Sequence, residues 1–148
     1  MIAIGCDHGG YKLKQEIEKY LEELKIEYKD FGTYSEERTD YPIYGEKVAK
    51  AVSTKECEKG ILICRSGHGV AIVANKFKGI RAANCVNEKD AKQAKADDNI
   101  NILTLGGDFL NISEAVKIIR IWLATEFKGG KYQERIEMIE KIEKENMK

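Results

Sequence analysis

Hydrophobic residues follow two different patterns along the chain, and the two patterns alternate. Short apolar runs, such as 2–6 and 60–64, have the composition of buried strands. Between them, apolar residues such as Leu13, Ile17 and Leu21 recur at the spacing of an amphipathic helix. Turn-forming residues, glycine above all, lie at most of the junctions. This alternation predicts β-α-β units, in which helices connect parallel strands.

The pattern predicts five strands, and the helices between them complete one α/β domain. The predicted strands cover 2–6, 26–30, 60–64, 80–85 and 100–105. Helices are predicted around 13–24, 48–52, 70–77, 88–97, 112–127 and 132–144, with a loop at 32–42. Right-handed crossovers place such helices on both faces of a sheet. We therefore expect residues 1–148 to form a three-layer α/β/α sandwich with a five-stranded, mostly parallel, Rossmann-like sheet.

The last predicted helix has a narrower apolar face than the others. Ile136, Ile139 and Ile142 form a single stripe in a segment that is otherwise charged. A stripe this thin suits packing across a subunit boundary, so 131–148 is interpreted as an extended C-terminal helix that contacts a partner subunit. A solvated tail is the alternative. We expect a homodimer or a dimer of dimers.

Length, composition and charge exclude several classes of function. The chain has 148 residues, 43% of them hydrophobic, and 25 lysines and arginines balance 25 aspartates and glutamates. With a net charge of zero, the chain has no excess of positive charge that would attract nucleic acid or an anionic membrane. No apolar run approaches a bilayer span, and no signal peptide begins the chain. We expect a cytoplasmic protein that acts on a small molecule, with its four widely spaced cysteines as free thiols.

Chemically unusual residues follow the first, third and fifth predicted strands. These segments are 6–10 (Cys-Asp-His-Gly-Gly), 64–69 (Cys-Arg-Ser-Gly-His-Gly) and 106–108 (Gly-Gly-Asp). The two histidines of the chain, His8 and His68, lie in the first two segments. In open α/β sheets, ligands bind beyond the carboxyl ends of the strands. The carboxyl edge of the sheet is therefore the candidate site.

Cys64 is the candidate reactive group at this edge. It ends a buried strand and precedes a glycine-containing turn into a helix, where backbone N–H groups and the positive helix end favour a thiolate. The same N–H groups are suited to an anion, either a phosphate or an enediolate oxygen. A cysteine that only packs is the alternative. Gly67-x-Gly69 matches neither a dinucleotide motif nor a P-loop, and Asp7-His8 fits either an acid/base pair or a helix cap.

Several motifs in the same order resemble the type B ribose-5-phosphate isomerase family, which includes the galactose-6-phosphate isomerase subunits. The segments that carry the resemblance are 5–14 (G-C-D-H-G-G-Y-x-L-K), 40–42 (D-Y-P), 60–69 (G-I-L-I-C-x-S-G-x-G), 74–76 (A-N-K), 79–82 (G-I-R-A) and 129–135 (G-G-x-x-Q-x-R). The resemblance implies isomerisation of a sugar phosphate through a cis-enediolate, without a metal or organic cofactor. Ribose 5-phosphate and ribulose 5-phosphate are the default pair.

The resemblance also implies roles for individual residues. Cys64 would move a proton between C1 and C2 of the open sugar, Ser66 would assist proton movement at the sugar oxygens, and Asp7 would help to open the ring. Backbone N–H groups from Gly67 to Val70 would form an anion hole. The implied substrate-binding residues are His8, Tyr41, Gly67, His68, Gly69, Val70, Asp97, Asp98, Lys131 and Arg135, with Arg135 on the last helix of a site built between two subunits.

The chain departs from the family pattern at four of the implied positions. Asp97 and Asp98 replace a common His-Asn pair, Asp108 replaces an arginine, and Lys131 replaces another. Carboxylates bring negative charge toward a phosphorylated substrate, and lysine lacks the bidentate fork of arginine. These changes predict altered ring opening and a weaker phosphate pocket.

Arg65 and His68, in the loop after Cys64, are the residues hypothesised to compensate for these changes. Arg65 replaces a small residue of the family pattern, and His68 replaces an apolar one. The alternative interpretation makes Arg65 a surface ion-pair partner and His68 a solvent-facing residue.

Three alternatives for function also stay open. The protein could isomerise a six-carbon sugar phosphate such as allose or galactose 6-phosphate, it could act on an unphosphorylated sugar, or it could be a sugar-binding subunit without turnover.

Overall fold

Five strands form one sheet in the computed structural model of the protein, which describes residues 1–147. The strands are β1 (Ile2–Cys6), β2 (Tyr28–Asp30), β3 (Lys59–Cys64), β4 (Ala82–Asn84) and β5 (Ile102–Gly106). The helices are α1 (Tyr11–Glu23), α2 (Tyr41–Ser53), α3 (His68–Ala74), α4 (Glu88–Asp98), α5 (Ile112–Ala124) and α6 (Lys131–Asn146). The strand order is β2-β1-β3-β5-β4, and every neighbouring pair is parallel.

Helices cover both faces of the sheet, which confirms the predicted three-layer α/β/α sandwich. Side chains of α1, α4 and α5 pack on one face, where the fully buried Trp122 donates its indole N–H to the Ile100 carbonyl at 3.2 Å. Side chains of α2 and α3 pack on the other face. The central strands β1, β3 and β5 are buried along nearly their whole length, as expected for parallel strands covered on both faces. No helix within residues 1–147 is long and apolar enough to cross a bilayer.

The largest error in the predicted elements is at α2. The hydrophobic pattern predicted a loop through 42 and a helix only over 48–52, whereas α2 begins at Tyr41. Pro42 lies in the first turn, where its missing N–H costs nothing and its fixed φ suits a helix. Gly45 interrupts the apolar pattern because a Cβ there would lie 2.9 Å from Val73 Cγ1 on α3. Close packing of α2 against α3 therefore requires a glycine in the second turn of α2, and this glycine obscured the start of the helix in the hydrophobic pattern.

Several other elements are shorter than predicted. The outer strands β2 and β4 begin at Tyr28 and Ala82, and each pairs with a single neighbour at an edge of the sheet. The helix predicted over 70–77 ends at Ala74, and the side chain of the next residue, Asn75, bonds to both the N–H and the carbonyl of Ala82 at 2.9 Å. The helix predicted to reach 127 ends at Ala124.

The last helix lies at the amino edge of the sheet and is held there. Its carboxylate Glu143 accepts the N–H of Gly79 at 2.9 Å, and Gly79 precedes the amino end of β4. Ile136 is buried, whereas Ile139 and Ile142 are exposed. The structure therefore favours a docked helix over a solvated tail, and it leaves two-thirds of the predicted apolar stripe open to solvent.

Candidate active site

The loops that follow β1, β3 and β5 meet at the carboxyl edge of the sheet, as predicted. Glycines allow this close approach: a Cβ on Gly107 would lie 2.8 Å from the Gly9 carbonyl oxygen, and one on Gly106 would lie 2.6 Å from that of Ser66. The N–H of Gly107 donates to the carbonyl of Cys64 at 2.8 Å. Backbone contact thus fixes the three loops relative to one another.

A cavity of about 490 Å³ opens above these loops. Its lining combines predicted site residues from several separate elements with three residues that were not selected from the sequence. The predicted residues in its lining are Asp7, His8, Tyr41, Cys64, Ser66 and Gly69, and Arg65 of the compensation hypothesis also lines it. The unselected residues are Arg38, Thr39 and Asp40. Asp40 belongs to the D-Y-P segment of the family resemblance, whereas the only signal for Arg38 and Thr39 was their place shortly before Tyr41.

Cys64 differs from the other three cysteines in its surroundings. Its Sγ accepts the N–H of Gly67 at 3.1 Å, and it faces the cavity while remaining only 4% exposed. An N–H donor stabilises an anionic sulfur more than a neutral one. Burial raises the pKa of the Cys6 and Cys85 thiols to about 12, and it also raises the pKa of Cys57. Those three thiols therefore stay protonated and inert, as buried structural cysteines do.

Thr104 in the core and the half-buried Asn84 support the turn that supplies this N–H. Gly67 has a φ of 83°, in the left-handed region that glycine adopts without strain. Its carbonyl accepts the hydroxyl of Thr104 on β5 at 2.7 Å, and the same hydroxyl lies 3.2 Å from Asn84 Oδ1. Thr104 is fully buried. Its role was not predicted from the sequence, although a threonine inside an apolar strand was the available signal.

Asp7 and His8 are both fixed by backbone groups. Asp7 is buried, and its Oδ1 accepts the N–H of Gly9 at 3.0 Å, so it caps the short 3-10 turn His8–Gly10. Nδ1 of His8 lies 3.2 Å from the backbone N of Thr39 and 3.1 Å from its carbonyl oxygen. Both residues also line the cavity. The capping and functional interpretations of Asp7 are therefore compatible.

Two backbone N–H groups at the start of α3 have no acceptor within the helix; one belongs to Gly69, which lines the cavity, and the other to the fully buried Val70. The N–H of Gly67 is used by Cys64, and that of His68 donates to Ser66 Oγ at 3.1 Å. The N–H groups of Gly69 and Val70 lie in the first helical turn, where no carbonyl of the helix can accept them. Gly69 also makes room for Tyr41, because a Cβ on Gly69 would lie 2.5 Å from the tyrosine ring.

The two residues of the compensation hypothesis are placed differently. His68 is exposed and does not line the cavity. Arg65 lines the cavity, and its Nη1 lies 3.4 Å from Asp108 Oδ1. A backbone hydrogen bond also joins the two residues, since the N–H of Asp108 donates to the Arg65 carbonyl at 2.9 Å. Asp108 and Arg65 are thus a pair that joins the β3 and β5 loops.

A buried charge network supports the segment that leads into the cavity. Lys14 is 1% exposed, and its Nζ donates to Asp30 Oδ1 at 2.6 Å and to the Thr33 carbonyl at 2.7 Å. Burial raises the pKa of Glu18 to about 8, and a hydrogen bond to Asp30 adds to the effect. Burial opposes the charge of Asp30, but hydrogen bonds from Glu18 and Lys14 outweigh it and lower the pKa of Asp30.

The remaining predicted residues lie at the opposite edge of the sheet. A helix that follows a parallel strand returns to the amino edge, so α4 ends there with Asp97 and Asp98. Asp97 Oδ1 pairs with Lys128 Nζ at 2.8 Å. Lys131 and Arg135 lie on the first turns of α6, with their cationic groups 5.6 and 5.2 Å from the centre of one tyrosine ring. One chain therefore does not bring these four residues to Cys64.

Comparison with known proteins places this architecture in a family. A family model described as Ribose/Galactose Isomerase matches residues 2–139. The chain belongs to this family. Ribose-5-phosphate isomerase B of Escherichia coli K12 is 44% identical over 142 residues, which are 96% of this chain and 95% of the relative. The predicted resemblance is thereby confirmed, and with it the prediction of an isomerase.

Solved structures of the family agree with the fold. Ribose-5-phosphate isomerase B of Clostridium thermocellum has a TM-score of 0.95 and 46% identity, with 97% of each chain covered. The enzyme of Mycoplasma genitalium, solved with bound ribulose-5-phosphate, has a TM-score of 0.93 and 40% identity, with 98% of this chain and 97% of that chain covered. Both likenesses extend over nearly the whole sandwich.

Proposed function

We propose that the protein is a cytoplasmic aldose–ketose isomerase that interconverts ribose 5-phosphate and ribulose 5-phosphate, with Cys64 as the base. The observation that carries the proposal is the placement of the Cys64 sulfur, which receives a backbone N–H at 3.1 Å and faces a cavity of about 490 Å³. The relatives named ribose-5-phosphate isomerase B support the choice of substrate.

The reaction moves one proton between two neighbouring carbons. The Cys64 thiolate removes the proton from C2 of the open aldose, and the electron pair flows to the carbonyl oxygen on C1 to give a cis-enediolate. The thiol then returns the proton to C1, and the C2 oxygen becomes the ketone. The same sulfur thus acts as base and acid, and general acid–base catalysis of this kind contributes about 10²–10⁴-fold to a rate.

The enediolate needs donors that are already in place. The N–H groups of Gly69 and Val70, which have no partner within their helix, are suited to its developing oxygen charge. The Ser66 hydroxyl, held by the N–H of His68, moves the second proton between the two sugar oxygens. Asp7, buried at the base of the cavity, binds sugar hydroxyls and assists ring opening.

A second copy of the chain completes the site in this proposal. Lys131 and Arg135 are cations at the amino edge of the sheet. They do not line the cavity at the carboxyl edge of their own chain. The exposed Ile139 and Ile142 of α6 give the same region an apolar surface for a partner. We infer a homodimer, or a dimer of dimers, in which α6 of one copy supplies phosphate-binding cations to the other.

The aspartates at the end of α4 fit this arrangement because one of them is already neutralised. Asp97 pairs with Lys128 at 2.8 Å, so it brings little net negative charge toward a phosphate. Asp98 has its carbonyl bound by the Arg81 Nε–H at 3.2 Å, which fixes the end of the helix.

A substrate panel tests the proposal. Five- and six-carbon aldose phosphates and their free sugars are offered to the wild type, to Cys64→Ala and to Cys57→Ala, and ketose formation is followed spectrophotometrically. We expect the highest kcat/KM for ribose 5-phosphate, its loss in Cys64→Ala, and its retention in Cys57→Ala, whose buried sulfur lies outside the cavity. A preference for a six-carbon phosphate would correct the substrate. Binding without turnover of any sugar would refute the enzyme.

A further inference from the structure

The cavity of one chain holds both signs of charge. Asp7 and Asp40 are its carboxylates, and His8, Arg38 and Arg65 are its basic side chains. A sugar phosphate carries its own negative charge, so its phosphate must lie among the basic groups and away from the carboxylates. The position and orientation of the basic side chains therefore decide where the phosphate binds.

Arg65 is the basic residue of the cavity whose position is fixed from both ends. Its Cγ packs against Gly9, where an added Cβ would lie only 2.6 Å away. Its Nη1 lies 3.4 Å from Asp108 Oδ1, and its carbonyl accepts the Asp108 N–H at 2.9 Å. The β1 loop thus holds the stem, and the β5 loop holds the guanidinium.

This pairing leaves most of the guanidinium available to a ligand. Arginine has five N–H donors in a rigid fork, and Asp108 contacts it through a single Nη. The Arg65 side chain is 63% exposed, so the other donors face solvent. Such a fork matches a phosphate in two places at once, which a lysine ammonium does not.

We propose that Arg65 is a phosphate-binding residue of this chain and that Asp108 is its positioning residue. The inference rests on the proposed function, because it assumes a phosphorylated sugar in the cavity. It assigns the compensating role to Arg65 and not to His68, which is exposed and outside the cavity lining. It also gives Gly9 a role, since its missing side chain makes room for the arginine stem.

Ligand binding tests the proposal without turnover. The probes are a five-carbon sugar-alcohol phosphate, which has no carbonyl and cannot react, and the same sugar alcohol without phosphate, both titrated calorimetrically. We expect Arg65→Gly to weaken binding of the phosphorylated probe about tenfold, the lower end of what a hydrogen bond to a charged group contributes. Arg65→Lys should lose less. Affinity for the unphosphorylated probe should not change, and equal phosphate affinity in wild type and Arg65→Gly overturns the proposal.

Two further variants separate orientation from mere charge. If Asp108 positions the fork, Asp108→Asn weakens phosphate binding about threefold, a fraction of the effect of removing the arginine. If Asp108 only neutralises Arg65, the same variant strengthens phosphate binding, which would refute the positioning role. Gly9→Ala should weaken phosphate binding in the wild type and change nothing in the Arg65→Gly background. An equal loss in both backgrounds would contradict the stem contact.

The outcomes distinguish this proposal from the proposed function. If the wild type binds the phosphorylated probe through Arg65 but isomerises no sugar, the proposed function is refuted and the phosphate site is supported. If the wild type and Arg65→Gly both isomerise ribose 5-phosphate with the same KM, the phosphate site is refuted and the proposed function is supported. A wild type that does not bind the phosphorylated probe overturns the Arg65 assignment.

Discussion

The two edges of the sheet carry parts of one predicted site, but they are built differently. At the carboxyl edge, Cys64 and its neighbours lie in loops joined by backbone contacts, with Thr104 fully buried beneath them. At the amino edge, Lys131 and Arg135 project from a helix surface beside the exposed Ile139. In the proposed function, the first edge carries the acid–base groups of one chain, whereas the second offers cations and an exposed apolar face to a partner copy.

Mixing two impaired variants tests this division most severely. Cys64→Ala should lose about 10²–10⁴-fold in kcat, and Arg135→Ala should lose about ten- to hundredfold in kcat/KM. If each site takes Cys64 from one chain and Arg135 from the other, unfolding and refolding the two variants together restores one intact site in each mixed dimer. Random pairing then gives about a quarter of wild-type activity.

The control for this experiment is each variant refolded alone, which should keep only its own reduced activity. A mixture no more active than its components would show that both residues serve the same chain. In that case the separation of the two edges would have to be closed by a rearrangement within one chain.

The support beneath the carboxyl edge predicts a smaller effect. Thr104→Val removes the hydroxyl that binds the Gly67 carbonyl at 2.7 Å and leaves that buried carbonyl without its partner. The expected cost is about 1–3 kcal/mol of unfolding free energy, and kcat should fall several-fold because the donor to Cys64 is less well held.

Thr125→Val is the matched control, because its hydroxyl donates to the Ile121 carbonyl at 2.6 Å, at the end of a helix away from the cavity. It should lose stability without losing kcat. If Thr104→Val and Thr125→Val lose stability and keep kcat alike, the turn does not depend on the core threonine.

A further prediction is a pH dependence of stability at the carboxyl edge. The pKa of Glu18 is raised to about 8 by burial and by its contact with Asp30, against an ordinary value of 4.5. The folded state therefore binds one more proton than the unfolded state between these values, so this group's contribution is present at low pH and declines as pH rises toward 8.

Glu18→Gln, which resembles the protonated form, should flatten that decline in chemical denaturation measured from pH 5 to 8. Glu23→Gln, at the solvent-exposed end of the same helix, is the control and should leave it unchanged. Parallel curves for wild type and Glu18→Gln would mean that Glu18 titrates as an ordinary surface carboxylate.

The sequence predicted the centre of the fold better than its margins. Nearly apolar runs identified β1, β3 and β5, because strands covered on both faces are built almost wholly of apolar residues. The outer strand β4 and the start of α2 were misjudged, since their lengths depend on one-sided pairing and on the packing of Gly45 against Val73. Such tertiary contacts leave no periodic signal.

The site was predictable in the same uneven way. The rule that ligands bind beyond the carboxyl ends of strands pointed to Asp7 and Cys64, which do line one cavity. It gave no means of finding Arg38, which reaches the cavity from the loop before α2. The position of Arg135 at the far edge follows from the path of α6 and from no local pattern around the residue.

The central proposal is that Cys64 is the reactive base of the cavity, and site-resolved alkylation tests it most directly. Iodoacetamide is applied near neutral pH with and without ribose 5-phosphate, and mass spectrometry follows each of the four cysteines. We predict that Cys64 is modified first, that the sugar phosphate slows its modification, and that Cys6, Cys57 and Cys85 react only on unfolding. Modification of Cys64 no faster than the other three, or at a rate the sugar phosphate does not change, would contradict it.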